Sequence, residues 1–90
     1  MAKQTDKIRN EWEYAGWFCI NLIATNKNGI PDFQMIKKGE IDCFVESKEK
    51  NDQLSELQKR MINKLLGLGK RVFINELEVT EALELNNFDI

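Results

Sequence analysis

Two acidic residues and a lysine, Asp32, Glu46 and Lys48, stand at the outer ends of two short apolar runs that a turn separates. The turn, residues 38–40, predicts a β-hairpin, and a three-residue loop makes the paired residue numbers sum to 78. Asp32 then lies opposite Glu46, with Cβ atoms roughly 4.5–5.5 Å apart, and Lys48 shares a face with Glu46. Two carboxylates this close repel each other unless a cation or a proton joins them. A slip of one residue would make the pairing diagonal but still leave both acids within reach of one cation.

The ligand types indicate which cation such a site would hold. The chain has no histidine and only two cysteines, which argues against a zinc site of the usual kind. Carboxylate oxygens suit Mg²⁺ or Mn²⁺, and Mg²⁺ takes one or two protein carboxylates, which Asp32 and Glu46 could supply. A bound ion can acidify a water and stabilise charge on a phosphate, and Lys48 could hold or deprotonate that water or pair with the phosphate. The pattern therefore indicates a metal-dependent phosphodiesterase site, with a charged surface hairpin as the competing interpretation.

Other segments predict the elements around this hairpin. Residues 4 to about 14 have helical spacing and end before Gly16, and residues 17–23 are rich in strand-forming aromatic and β-branched residues. Residues 72–74 predict a short buried strand, which the preceding helix would connect to the hairpin as a parallel β-α-β crossover. Residues 79–85 predict a terminal helix. The predicted order is α-β-β-β-α-β-α around a central mixed sheet.

The helix after the hairpin begins with a recognisable signal. Ser55 and Gln58 fit the capping box Ser-x-x-Gln, with Asp52 as an alternative cap. An apolar stripe at spacings of three and four residues predicts its buried face, and Gln58 lies on that stripe. The stripe comprises Leu54, Leu57, Met61, Leu65 and Leu68, widened by Ile62 and Leu66. A polar amide at a core-facing position needs a hydrogen-bond partner, so Gln58 is a candidate site residue as well as a border residue.

Three segments in this order resemble the VRR-NUC family, the virus-type replication-repair nuclease branch of the PD-(D/E)xK superfamily. They are Gly-Ile-Pro-Asp at 29–32, Phe-Val-Glu-Ser-Lys at 44–48 and Leu-Ser-Glu-Leu-Gln-Lys at 54–59. The resemblance covers residues 29 to about 75 and, more loosely, the first helix. It implies an α/β, restriction-endonuclease-like PD-(D/E)xK core with helices flanking the sheet, in a single domain over residues 1–90.

The resemblance also implies roles for individual residues. Asp32, Glu46 and the backbone carbonyl of Ser47 would hold the divalent metal, Mg²⁺ or Mn²⁺. Lys48 would be the catalytic lysine, and Gln58 would be the helical glutamine of the family, so that Asp32, Glu46, Lys48 and Gln58 form the expected catalytic set.

One family feature is missing from its expected place. Members usually carry a metal-associated glutamate near the start of the first helix, which corresponds to Lys3 or Gln4 here. Gln4, Asp6 and Glu11 are the available substitutes, and a solvated polar face is an equal interpretation of each. This departure from the family pattern leaves open whether a second metal ion binds.

The net charge does not by itself indicate nucleic-acid binding. The net charge is −2, but residues 76–90 hold five acids and no base, so the rest of the chain carries 13 basic and 10 acidic residues. This argues against a sequence-independent DNA clamp and leaves local phosphate contacts open. Lys59 and Arg60, off the apolar stripe, and Lys27, in the loop before the site, are the candidate phosphate contacts; a plain loop lysine is the alternative for Lys27.

Composition bounds the assembly and location. Ninety residues give a thin core, and Trp12, Trp17, Phe18 and Phe73 need to be buried, which predicts a two-fold homodimer. The chain lacks a run of eighteen apolar residues and an apolar signal core near its start, so no membrane span is expected, and buried free thiols predict a cytoplasmic protein. The resemblance to small stand-alone family members implies that it is phage-encoded or bacterial.

The predicted function is a metal-dependent DNA endonuclease. The resemblance to small stand-alone members implies a homodimer that acts on branched DNA, such as a four-way junction whose symmetry matches that of the dimer. The alternatives are a binding module that keeps the fold without cutting DNA, and a structural partner in a larger repair or packaging complex.

Overall fold

The computed structural model describes residues 4–22 and 29–83. Within these residues the chain forms two helices and five strands. In chain order they are α1 (Gln4–Tyr14), β1 (Phe18–Asn21), β2 (Phe33–Ile36), β3 (Cys43–Glu46), α2 (Glu56–Gly67), β4 (Arg71–Ile74) and β5 (Leu77–Val79).

The strands form one mixed sheet in the order β1-β2-β3-β4-β5. Neighbouring strands are antiparallel except β3 and β4, which are parallel because α2 connects them by a crossover. Phe33 lies opposite Val45, and Met35 lies opposite Cys43, so the paired numbers sum to 78 as predicted. The predicted hairpin register and the predicted β-α-β unit are therefore both confirmed.

The sheet has an apolar core on each face, since its central strand β3 is buried along its whole length. On the α1 side, Ile8 packs with residues from β2 and β3, namely Phe33, Met35, Cys43 and Val45. On the other side, α2 covers a second cluster of Phe44, Leu54, Ile62, Leu65, Val72, Ile74 and Leu83. Alternation along β3 therefore directs Glu46, like Phe44, toward the α2 side of the sheet.

The predicted terminal helix over residues 79–85 is wrong in its described part. Residues 77–79 form β5, which pairs antiparallel with β4, and residues 80–83 are not helical; residues 84 and 85 lie outside the described residues. Asn75 allows the tight turn between the two strands because it adopts a left-handed backbone conformation, with φ of 56°. Arg71 of β4 then donates two hydrogen bonds, at 2.7 and 2.8 Å, to the Glu78 carboxylate of β5.

The buried face of α2 differs from the predicted stripe. Leu57 and Leu68 are 52% and 65% exposed, whereas Lys59 is only 7% exposed and shares the buried line with Ile62 and Leu65. The expectation that Lys59 lies off the buried face is therefore wrong. The spacing of three residues between 59, 62 and 65 sets the line that faces the sheet, and Leu57 lies to one side of it.

Two further expectations can be compared with the described residues. Cys19 is half-buried and Cys43 is buried, and both are free thiols, as predicted. Neither α1 nor α2 has the length and apolar character that crossing a bilayer requires, among the residues that the structure describes.

Candidate active site

Glu46 occupies the centre of the candidate site, at the last position of β3. It is only 5% exposed, although it carries a carboxylate. Its Oε2 accepts a hydrogen bond from the Gln58 Nε2 at 3.2 Å and lies 3.9 Å from the Lys48 Nζ. The lysine side chain is itself largely buried, so β3 and α2 bring these three groups together away from bulk water.

The environment of Glu46 favours its neutral form. Burial is the main cause and the charge of Asp32 the second, and together they raise the pKa of Glu46 from its ordinary value of 4.5 to about 7. The charge of Lys48 and a hydrogen bond from the Asp32 backbone act in the opposite direction without offsetting the rise. Ionised Glu46 therefore needs a compensating partner in this site, either a proton or a cation.

Asp32 stands just before β2 and is held from the other side of the hairpin. Its Oδ2 accepts hydrogen bonds from the Ser47 backbone N–H at 3.0 Å and from the Ser47 hydroxyl at 2.7 Å. The same hydroxyl lies 2.9 Å from the hydroxyl of Thr5, in the first turn of α1. These bonds orient the Asp32 carboxylate and connect it to the start of α1.

Gln58 has two functions in the structure, one at each end of its amide. The Oε1 accepts a hydrogen bond from the Ser55 backbone N–H at 2.8 Å, and the Ser55 hydroxyl accepts one from the Gln58 N–H at 3.1 Å. This confirms the predicted capping box. Because the cap fixes Oε1, the Nε2 is left facing Glu46. Gln58 therefore points to the carboxylate pair and not into the apolar core.

Gly29 explains how the segment that carries Asp32 approaches α2. Its φ is +79°, and a Cβ at this position would lie 2.6 Å from the Leu57 carbonyl oxygen and 3.0 Å from the Gln58 nitrogen. Only glycine accommodates both this backbone conformation and this approach. The first turn of α2 and the start of β2 can therefore lie side by side at the site.

Sequence reasoning did not identify Asn75. Its side-chain amide bonds both backbone polar groups of Lys48, with N–H to Oδ1 and Nδ2 to O distances of 3.0 Å each. A signal for it was present, since Asn75 directly follows a strand predicted to run parallel to the one that ends in the site. Residues that follow neighbouring parallel strands lie at the same edge of the sheet.

The start of α1 carries hydroxyl and amide groups where the family usually has a glutamate. Thr5 approaches the site through Ser47, whereas Asp6 forms an ion pair with Arg9 at 3.3 Å and Glu11 is exposed. Among residues 4–22 and 29–83, no three His, Cys, Asp or Glu side chains form a group suited to a metal. The assignment of Asp32, Glu46 and the Ser47 carbonyl as metal ligands therefore remains a prediction.

Of the three candidate phosphate contacts, the structure describes Lys59 and Arg60. Lys27 lies outside the described residues. Lys59 is buried on α2, and Arg60 is exposed and lies 3.9 Å from Glu56 one turn earlier. Contact of any of them with DNA remains a prediction.

The chain is an α/β domain in which two acids, a lysine and a glutamine lie together around the end of β3. The sequence model of the VRR-NUC domain matches residues 7–76 of the 90-residue chain, so the chain belongs to the VRR-NUC family. The resemblance seen in the three sequence segments is thereby confirmed. Comparison with curated proteins and with solved structures gives no match.

Proposed function

We propose that this chain is a metal-dependent DNA endonuclease that hydrolyses phosphodiester bonds at the Asp32–Glu46 pair. The observation that carries the proposal is the buried position of Glu46 between a second carboxylate, a lysine and a glutamine. The nuclease-type family supports hydrolysis, and the raised pKa of Glu46 supports a cation as the missing partner of the two acids.

Each residue has a role that follows from its contacts. Asp32 and Glu46 would hold Mg²⁺ or Mn²⁺, with the Ser47 carbonyl as a further ligand; a bound ion would make a water more acidic and offset charge on the phosphate. Lys48, beside the Glu46 carboxylate, holds or deprotonates the attacking water or pairs with the phosphate. Gln58 donates to Glu46 and so fixes the orientation of that carboxylate.

Substitution of the site residues tests this proposal. Asp32→Ala or Glu46→Ala should abolish cleavage and Mn²⁺ binding, because each removes a charged ligand. Lys48→Ala should slow cleavage by roughly 100-fold or more, the order expected for a general acid–base group, and leave Mn²⁺ affinity nearly unchanged. Asp42→Ala, at the other end of the same hairpin, is the control and should cut like the wild type.

The outcomes separate this function from its main alternative. Full activity of Lys48→Ala would remove the lysine from the mechanism, and unchanged Mn²⁺ binding by Asp32→Ala would remove the metal site. A chain that binds branched DNA and cuts none of the DNAs tested, with either metal, would be the binding module that keeps the fold without cleavage. The reason to consider this alternative is that the start of α1 lacks the metal-associated glutamate that family members usually carry.

The finer proposal is a homodimer that acts on branched DNA. Trp12 packs edge to face against Trp17 and against Phe73, with ring centroids 5.3 and 4.8 Å apart respectively. Phe18 on the edge strand β1, in contrast, is 66% exposed, and Tyr14 just before it is exposed as well. The support for a dimer therefore comes from these two exposed rings, which a second copy of the chain would cover, and not from the tryptophans. The two free thiols support a cytoplasmic location.

Mass and substrate preference test this assembly. Light scattering at micromolar concentration should give twice the chain mass, and Phe18→Ser should shift it toward the monomer. A dimer with two-fold symmetry should cut a four-way junction faster than a linear duplex or a flap of the same sequence. A monomer mass for the wild type would contradict the dimer, and equal cutting of junction and duplex would contradict selectivity for branches.

A further inference from the structure

Asn75 lies in the turn that joins β4 to β5, beside the end of β3. It is the one non-glycine residue with positive φ among those that the structure describes. Asparagine tolerates this conformation better than most residues because its short side chain can bond locally. Here, however, its side chain bonds a residue 27 positions away in the sequence, Lys48.

Three hydrogen bonds connect Asn75 to the segment that follows β3. The Asn75 backbone N–H donates to the Glu46 carbonyl at 2.8 Å, which continues the ladder between β3 and β4. The Asn75 Oδ1 accepts from the Lys48 N–H, and its Nδ2 donates to the Lys48 carbonyl, both at 3.0 Å. The side-chain amide thus replaces the peptide group that a longer β4 would have offered to Lys48.

This arrangement fixes the backbone of the lysine whose side chain reaches Glu46. β3 ends at Glu46, so without the amide the two residues that follow would lack a strand partner on the β4 side. Asn75 is itself restrained, because its carbonyl accepts a hydrogen bond from the Trp12 indole at 3.4 Å. The position of the Lys48 Nζ, 3.9 Å from the Glu46 Oε2, therefore depends on a side chain in another turn.

We infer that Asn75 is a positioning residue for cleavage, one that holds Lys48 against Glu46 without touching the substrate. The inference rests on the proposed function, since it assumes that Lys48 acts in the reaction. Its effect is expected in kcat more than in KM, because misplacing a reacting group by about 1 Å can cost roughly 100-fold in rate.

Asn75→Gly is the variant that tests this inference, since glycine adopts the same φ and removes only the amide. Asn63→Ala is the matched control: the Asn63 amide bonds both backbone groups of Leu83, at 2.6 and 2.9 Å, and neither residue belongs to the candidate site. We expect Asn75→Gly to lower kcat by roughly 10- to 100-fold with KM and Mn²⁺ affinity nearly unchanged. Asn63→Ala should cut almost like the wild type. Amide hydrogen exchange should show lost protection of the Lys48 N–H in Asn75→Gly alone.

A double-mutant cycle in single-turnover cleavage separates positioning from general stability. If Asn75 acts through Lys48, adding Asn75→Gly to Lys48→Ala should cause no further loss. A full additional loss in that background, a wild-type rate for Asn75→Gly, or equal losses in Asn75→Gly and Asn63→Ala would each overturn the inference while leaving the proposed function intact. Lys48→Ala that cuts at the wild-type rate would overturn the role of the lysine and, with it, that of Asn75.

Discussion

Replacing Glu46 by glutamine should stabilise the metal-free protein at neutral to alkaline pH. Burial and the neighbouring Asp32 raise the pKa of Glu46 from 4.5 to about 7. A difference of this size between unfolded and folded chains corresponds to about 3 to 4 kcal/mol, at about 1.4 kcal/mol for each pH unit. Glu46→Gln keeps the shape and an acceptor for Gln58 while removing the charge, so most of that amount should be recovered, about 2 to 3 kcal/mol.

The size of the stabilisation by Glu46→Gln depends on pH. The folded chain binds the Glu46 proton more tightly than the unfolded chain does, so stability falls as pH rises from about 4.5 to about 7. Below this window the carboxyl is protonated in both states, and Glu46→Gln should be nearly neutral. Above it, the full stabilisation should appear. Adding Mg²⁺ at pH 8 should stabilise the wild type and not Glu46→Gln, so the difference in unfolding free energy between the two proteins should become smaller.

Urea denaturation in a chelator at pH 4.5 and pH 8 measures this effect. Glu78→Gln is the control of opposite sign, because the hydrogen bond from Arg71 lowers the pKa of Glu78, and its loss should destabilise the protein at pH 8. A Glu46→Gln variant that is equally or less stable than the wild type at pH 8 would refute the reasoning. It would mean that the buried carboxylate is compensated within the protein.

Two further predictions use matched pairs of variants. Gln58→Leu and Ser55→Ala both break the capping box and should each lower the unfolding free energy by about 1 kcal/mol, as measured in urea. Only Gln58→Leu also removes the hydrogen-bond donor to Glu46, so only this variant should cleave DNA much more slowly. Equal cleavage rates for the two variants would mean that Gln58 acts only as a helix cap. Gly29→Ala and Gly39→Ala both place a side chain at positive φ, which should cost about 1–2 kcal/mol of stability in each case, but only the Cβ at position 29 also contacts the α2 backbone. Gly29→Ala should therefore lose more stability and more cleavage activity than Gly39→Ala. Equal losses would mean that α2 shifts to accommodate the added Cβ without cost.

The site hairpin could be predicted because its information is local. The turn at residues 38–40 fixes the register, and the register alone brings Asp32 opposite the end of β3. The capping box was equally local, since Ser55 and Gln58 bond each other within one helical turn. These short-range rules bring Asp32, Glu46 and Lys48 together, whereas the place of Gln58 beside Glu46 also depends on how α2 packs against the sheet.

What could not be predicted depends on contacts between distant segments. The composition of residues 79–85 predicts a helix because Glu81, Ala82 and Leu83 are good helix formers. Val79 instead pairs with β4, a contact that this local preference does not show. Lys59 lies off the apolar stripe that the spacing predicts, but the orientation of α2 on the sheet buries it. Asn75 looks like an ordinary turn residue until the parallel strands place it beside Lys48.

The connectivity of the sheet sets the order in which the site can assemble during folding. Asp32 and Glu46 belong to one hairpin, so a short loop brings them together at low entropic cost. Asn75 and Lys48 meet only after the chain has closed the much longer crossover through α2, which is a slower event. We therefore expect the carboxylates of Asp32 and Glu46 to come close together before the crossover is complete, so that their repulsion opposes early folding. Lys48 should reach its final position last.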